Sequence, residues 1–132
     1  MTITNPLTEA GLETRIGANQ LKAIAGSDAA IRSARIKAVL DDSWAEVEAR
    51  LAAFTYTAAP AAMIAVGYDL AWARLFTGGA NDATNNAASR ADQRARAART
   101  LLQAWSAGTL PLAGSIRKSG SGAEALGTEV LL

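Results

Sequence analysis

Residues 36–54 read IKAVLDDSWAEVEARLAAF. Within this stretch Ile36, Leu40, Trp44, Val47, Leu51 and Phe54 recur at steps of four, four, three, four and three. At 100° per residue all six fall inside an arc of about 80°, the signature of a helix with one buried stripe. Charged residues of this stretch and of the turn before it, Arg32, Arg35, Lys37, Asp41, Asp42, Glu46, Glu48 and Arg50, lie outside that arc. Ser27-Asp28 supplies the start signal, so a long helix is predicted from there to about Phe54. The rest of the chain is read as elements that cover this stripe.

Upstream, Thr8 has the character of an N-cap, with Glu9 and Glu13 in the first two turns, where the helix dipole favours negative charge. Leu7 and Leu12 have the spacing of a hydrophobic staple. Gly17 ends this short helix; a second piece, Asn19 to Ala25, stops at Gly26. Downstream, Thr55–Ala59 is a connector, because residues before proline avoid the α region. Pro60 opens a helix to about Phe76. Met63, Val66 and Leu70 occupy one side of it, and Ile64, Tyr68, Trp72, Leu75 and Phe76 the other. A helix apolar nearly all round is buried on more than one face. Thr77 to Ala88 (TGGANDATNNAA) reads as a surface loop. Ser89 is the expected cap of the last strong helix, with Asp92 in the capping-box position. Its inner face is Ala91, Ala95, Ala98, Leu102 and Trp105, and Gly108 ends it. Thr109–Gly114 is expected to be extended, and no strand pair is evident. SIRKSGSGAEALGTEVLL then brings a Gly/Ser linker followed by Leu126, Val130, Leu131 and Leu132. The fold class is therefore all-α: a small bundle with one long central helix over residues 1–114, and an extended flexible tail over 115–132.

Composition narrows the chemistry. The chain has 132 residues, with no Cys and no His, and a net charge of +1. That leaves no disulfide, cysteine nucleophile, histidine metal site or Ser-His-Asp triad. Alanine fills 32 positions and aromatics only 5%, which favours helix but leaves the core resting on few large side chains. No membrane span or signal-peptide layout is present. No cofactor is expected. The carboxylates Asp41, Asp42, Glu46 and Glu48 point in several directions around one helix and read as a solvated face rather than a metal site. Arg90, Arg94, Arg96 and Arg99 make a basic segment that could face DNA or phosphate. Asp69 is a lone acid on a small-residue face between Ala65 and Ala73. If buried it needs a basic partner, with Arg50 and Arg94 as first candidates from another helix or subunit.

Three pieces, AEVEARLAAFTYTAAP, YDLAWARLF and LLQAWSAGTLPL, follow one another in that order. In order and spacing the chain resembles the small helical head–tail adaptor (connector, head-completion) proteins of tailed bacteriophages, of the type found in Mu-like morphogenesis clusters. The resemblance covers roughly residues 3 to 114. It departs where this chain has Tyr56-Thr57-Ala58-Ala59-Pro60, and it leaves out the Gly/Ser tail. It implies a structural, non-enzymatic virion protein that forms a homo-oligomeric ring, usually twelve-fold, beneath the portal protein. Such a ring extends the channel for packaged DNA and receives the next connector or tail-completion protein, after assembly in the host cytoplasm and without membrane contact. Under that reading Asp69, Trp72, Arg74 and Phe76 are subunit-interface candidates. Ile116, Arg117, Lys118, Leu126, Val130, Leu131 and Leu132 are candidates for docking to portal or neighbour. The alternative expectation is a nucleic-acid-binding or regulatory module working through Arg90–Arg99.

Overall fold

The computed structural model describes residues 4–77 and 85–117. Its elements are α1 (Glu9–Ile16), α2 (Ala18–Ala25), α3 (Ala29–Arg50), β1 (Phe54–Thr55), α4 (Ala61–Thr77), α5 (Asn85–Ala107) and β2 (Ile116–Arg117). The protein is all-α, and among the described residues one ribbon of two two-residue strands is attached.

Local chemistry sets most of the boundaries. The Thr8 hydroxyl accepts from the Gly11 amide at 3.0 Å, and the Asp28 carboxylate accepts from the Ile31 amide at 3.1 Å, so both expected caps hold an otherwise orphaned donor. Gly17 and Gly26 adopt φ of 93° and 107°, where a side chain would be strained, and each amide closes the preceding helix onto a carbonyl four residues back.

α3, α4 and α5 pack side by side, and α4 takes the middle place with α3 on one flank and α5 on the other. The six-residue stripe that begins at Ile36 is wholly internal, between 0 and 7% exposed, and the inner face expected for α5, from Ala91 to Trp105, is buried throughout. The long helix was expected at the centre; α4 holds that position because it is the helix apolar on every side. Met63, Val66, Leu70, Ala71 and Leu75 are completely or almost completely buried, and Tyr68 and Trp72 nearly so. The apolar excess of α4 is thus used within the chain, by α3, α5 and α1, leaving no broad apolar face of this helix for a neighbour.

Four further differences from the sequence-based expectations have local causes. α3 ends at Arg50, and Leu51–Ala53 form a turn in which the Phe54 amide donates to the Leu51 carbonyl at 3.0 Å, which turns Phe54 inward at the chain's exit from the helix. α5 begins at Asn85, four residues before the expected cap. Ser89 therefore lies inside the helix, and Asp92 pairs one turn on with Arg96 at 3.0 Å instead of closing a capping box. Thr109–Gly114 is not extended: the amides of Thr109 and Leu110 both donate to the Ala104 carbonyl, Gly108 takes φ of 82°, and Leu112 tucks into the core. Lastly, β1 and β2 pair antiparallel, Phe54 opposite Arg117 and Thr55 opposite Ile116, with the Thr55 hydroxyl donating to the Ile116 carbonyl at 3.2 Å. Residues 115–117, placed with the tail by composition, are thereby tied to the bundle. Two-residue strands carry no periodicity, so nothing in the sequence could announce this pair. The expected 77–88 loop falls mainly on residues 78–84, and the tail beyond Arg117 likewise lies outside the described residues.

Candidate functional site

The polar residues singled out by sequence converge on the seams beside α4. Asp69, on its third turn, accepts from the Arg15 guanidinium of α1 at 3.0 Å, and Arg94 of α5 stands 3.7 Å from the same oxygen. The carboxylate side chain is 18% exposed. Of the two arginines expected as partners, Arg94 is present and Arg50 is not: Arg50 is exposed at the far end of α3. Arg15, the nearer partner, was not foreseen. It lies 54 positions away, on a helix whose docking angle no local pattern encodes. Arg94 also places its guanidinium 5.4 Å from the centre of the Trp72 ring, a cation–π geometry. Trp72 in turn tilts against Phe76, with centroids 6.5 Å apart.

A second cluster joins α3, α4 and α5. Glu46 accepts from Arg74 at 2.8 Å and from Arg99 at 2.9 and 3.2 Å, and Arg74 also donates to the Ser43 hydroxyl at 3.0 Å. Ser43 is completely buried. The hydrogen bonds from Arg99, and then those from Arg74, hold the Glu46 carboxyl below the usual glutamate range against the opposing effect of burial. The Arg99 guanidinium is raised correspondingly, chiefly by its bond to Glu46. Ionised groups bonded this way are among the stronger polar contacts a protein makes. The carboxylate read as a solvated face therefore divides: Glu46 clamps three helices, while Asp41 lies at the surface with Lys37 at 3.0 Å and Asn5 at 2.9 Å, which lower its carboxyl in that order.

The expected phosphate strip is interrupted by these pairings. Arg94 is engaged with Asp69 and Trp72, Arg96 with Asp92 and Arg99 with Glu46. Arg90 is exposed and makes no ion pair with a described residue. Of the interface candidates, Trp72 is buried and Asp69 and Arg74 are committed within the chain, whereas Phe76 is half-buried. Ile116 is 73% exposed on the ribbon. Arg117 is placed by its backbone pairing alone, and Lys118, Leu126, Val130, Leu131 and Leu132 lie outside the described residues.

Two small residues let α1 dock, and sequence reasoning passed over both. A Cβ on Gly11 would overlap the Tyr68 phenol, whose hydroxyl accepts from the Thr8 amide at 3.1 Å. A Cβ on Gly67 would come within 2.9 Å of Leu7. A glycine in a helix interior costs about 1 kcal/mol relative to alanine, so glycine in the middle of α4 is a signal of close approach by another element.

Among the described residues no cluster of three acidic side chains is arranged to hold a metal ion, and no helix is long and apolar enough to cross a membrane. Comparison with family models, with curated proteins and with solved structures finds no match. The site is thus defined by its own geometry: an ion-paired, aromatic-backed scaffold that locks α1, α3 and α5 onto α4.

Proposed function

We propose that this chain is a head-to-tail adaptor subunit of a tailed bacteriophage, assembling with copies of itself as a ring beneath the portal and joining the head to the next connector or tail-completion protein. The observation that carries the reading is the ordered set AEVEARLAAFTYTAAP, YDLAWARLF and LLQAWSAGTLPL, whose residues have coherent structural duties. The first piece supplies Glu46, Val47 and Leu51 to the α3 seam. The second supplies Asp69, Trp72 and Arg74, which tie α4 to its neighbours. The third supplies Trp105 and Leu112 to the core, with Gly108 reversing the chain between them. A rigid, internally ion-paired bundle suits a part that must hold its shape around a channel. In a ring of identical subunits each contact is heterologous, so two different surfaces of one chain must match. The exposed flank of α5 and the ribbon carrying Ile116 are two surfaces that could serve such a contact under this proposal.

The test is reconstitution with the portal protein that the proposal implies. Electron microscopy and mass measurement of the mixture should show a ring of this chain on one face of the portal. A chain that stays monomeric with the portal, and that fails to complete DNA-filled heads, refutes the proposal. Steep salt-dependent retardation of DNA by the free chain would favour the nucleic-acid reading instead.

A further inference from the structure

On α5, Arg90, Arg94, Ala97 and Leu101 recur at steps of four, three and four and fall within an arc of about 60°. All four are exposed, Leu101 to 38%. This stripe borders the inner face of the helix on the side of Trp72, away from the Glu46 cluster. Among the described residues its basic end carries an excess of positive charge: Arg15 and Arg94 share the Asp69 carboxylate, and the exposed Arg90 makes no ion pair. The surface is therefore basic at one end and apolar at the other.

The chain contains a segment of the opposite make-up. Residues 123–132, AEALGTEVLL, carry Glu124 and Glu129, no basic residue, and Leu126, Val130, Leu131 and Leu132. Its attachment point is suitably placed. α4 and α5 pack beside each other, and the chain that leaves α5 returns to the residues just before α4. The turn that follows brings Gly114 within 3.5 Å of Pro60, counted from an added Cβ, and β2 lies against β1 there. From Gly108, Leu101 is about 10 Å and Arg90 about 27 Å down the helix at 1.5 Å per residue. The seven residues from Arg117 to Glu124 span at most about 24 Å, and the twelve to Glu129 at most about 41 Å. Both ends of the stripe are within reach of the same chain.

We propose that residues 123–132 dock in cis on the Arg90–Leu101 stripe, running antiparallel to α5, with Leu126 against Ala97 and Leu101 and Glu129 at Arg90 and Arg94. The contact shelters the leucines of the free subunit and gives an assembly partner something to displace. It is a property of the isolated chain and stands or falls independently of the adaptor reading.

The chain has no native cysteine, so Thr128→Cys takes a single nitroxide label in the full-length protein. Docking predicts that the amide signals of residues 94–101 are broadened several-fold more than those of α2. Arg90→Glu or Leu101→Asp, both at exposed positions, should reduce that broadening at least twofold while the helical circular dichroism stays constant. Combining Arg90→Glu with Glu129→Arg should restore it. Broadening that is absent, spread evenly over the bundle, or indifferent to both substitutions overturns the proposal. Mixing labelled chain with isotope-enriched unlabelled chain separates the occupants: broadening that survives in the mixture means a second copy supplies the segment, and the cis contact is refuted.

Discussion

Replacing Gly11 by alanine sets two effects of opposite sign against each other. In a helix interior the change is worth about 1 kcal/mol in favour of alanine. Gly11, however, lies where α1 crosses Tyr68, and the new Cβ would overlap the phenol hydroxyl and lie 2.6 Å from Cζ. The ring is rigid and buried, so it cannot swing aside as a leucine tip could. Overpacking of this kind costs about 1–3 kcal/mol, and displacing the phenol also breaks the Thr8 amide bond to its hydroxyl, worth about 1 kcal/mol. The net expectation is a loss of about 1–3 kcal/mol, measured by urea unfolding followed by far-ultraviolet circular dichroism. The same substitution in a Tyr68→Ala background meets no ring and should stabilise by about 1 kcal/mol relative to that background. The sign should therefore reverse across the double-mutant cycle. If Gly11→Ala stabilises the otherwise native chain, α1 does not dock on Tyr68 as described.

Leu51→Ala or Trp105→Ala should each cost about 2–5 kcal/mol, since both side chains are buried and few large residues share the core; denaturation midpoints check this, and a change under about 0.5 kcal/mol would exclude that residue from the core. Glu46→Gln should cost about 1–3 kcal/mol by weakening the bonds from Arg74 and Arg99. Because the folded-state carboxyl of Glu46 is lowered, its contribution is fully present above the ordinary glutamate pKa of about 4.3 and is lost as pH falls through the lower folded-state value. Native and Glu46→Gln stabilities measured from pH 7 to pH 2 should therefore converge at the acid end. Deleting residues 118–132 should leave helical circular dichroism unchanged but impair head completion; a truncated chain that completes heads at the native rate would show the tail to be dispensable. A cut before Ile116 should also destabilise the bundle, because it removes the strand paired with β1.

The sequence by itself determined the helical class, the stripe that begins at Ile36, the inner face of α5, the caps at Thr8 and Asp28, and the glycine stops at Gly17, Gly26 and Gly108. These are readable because they depend on period, capping chemistry and backbone conformation, all expressed within a few neighbouring positions. An acid among alanines told that Asp69 needs a partner and named Arg94 as one. Only the tertiary structure decided the rest. α4 lies in the middle because two flanking helices satisfy its two apolar sides, and a helical wheel cannot tell a neighbour within the chain from one in another subunit. Arg15 reaches Asp69, and Glu46 collects Arg74 and Arg99, because docking angles bring residues from three helices to one point. The ribbon of Phe54–Thr55 and Ile116–Arg117 joins residues some 60 positions apart. Such contacts are set by how whole helices pack, and no local stretch of the chain records them.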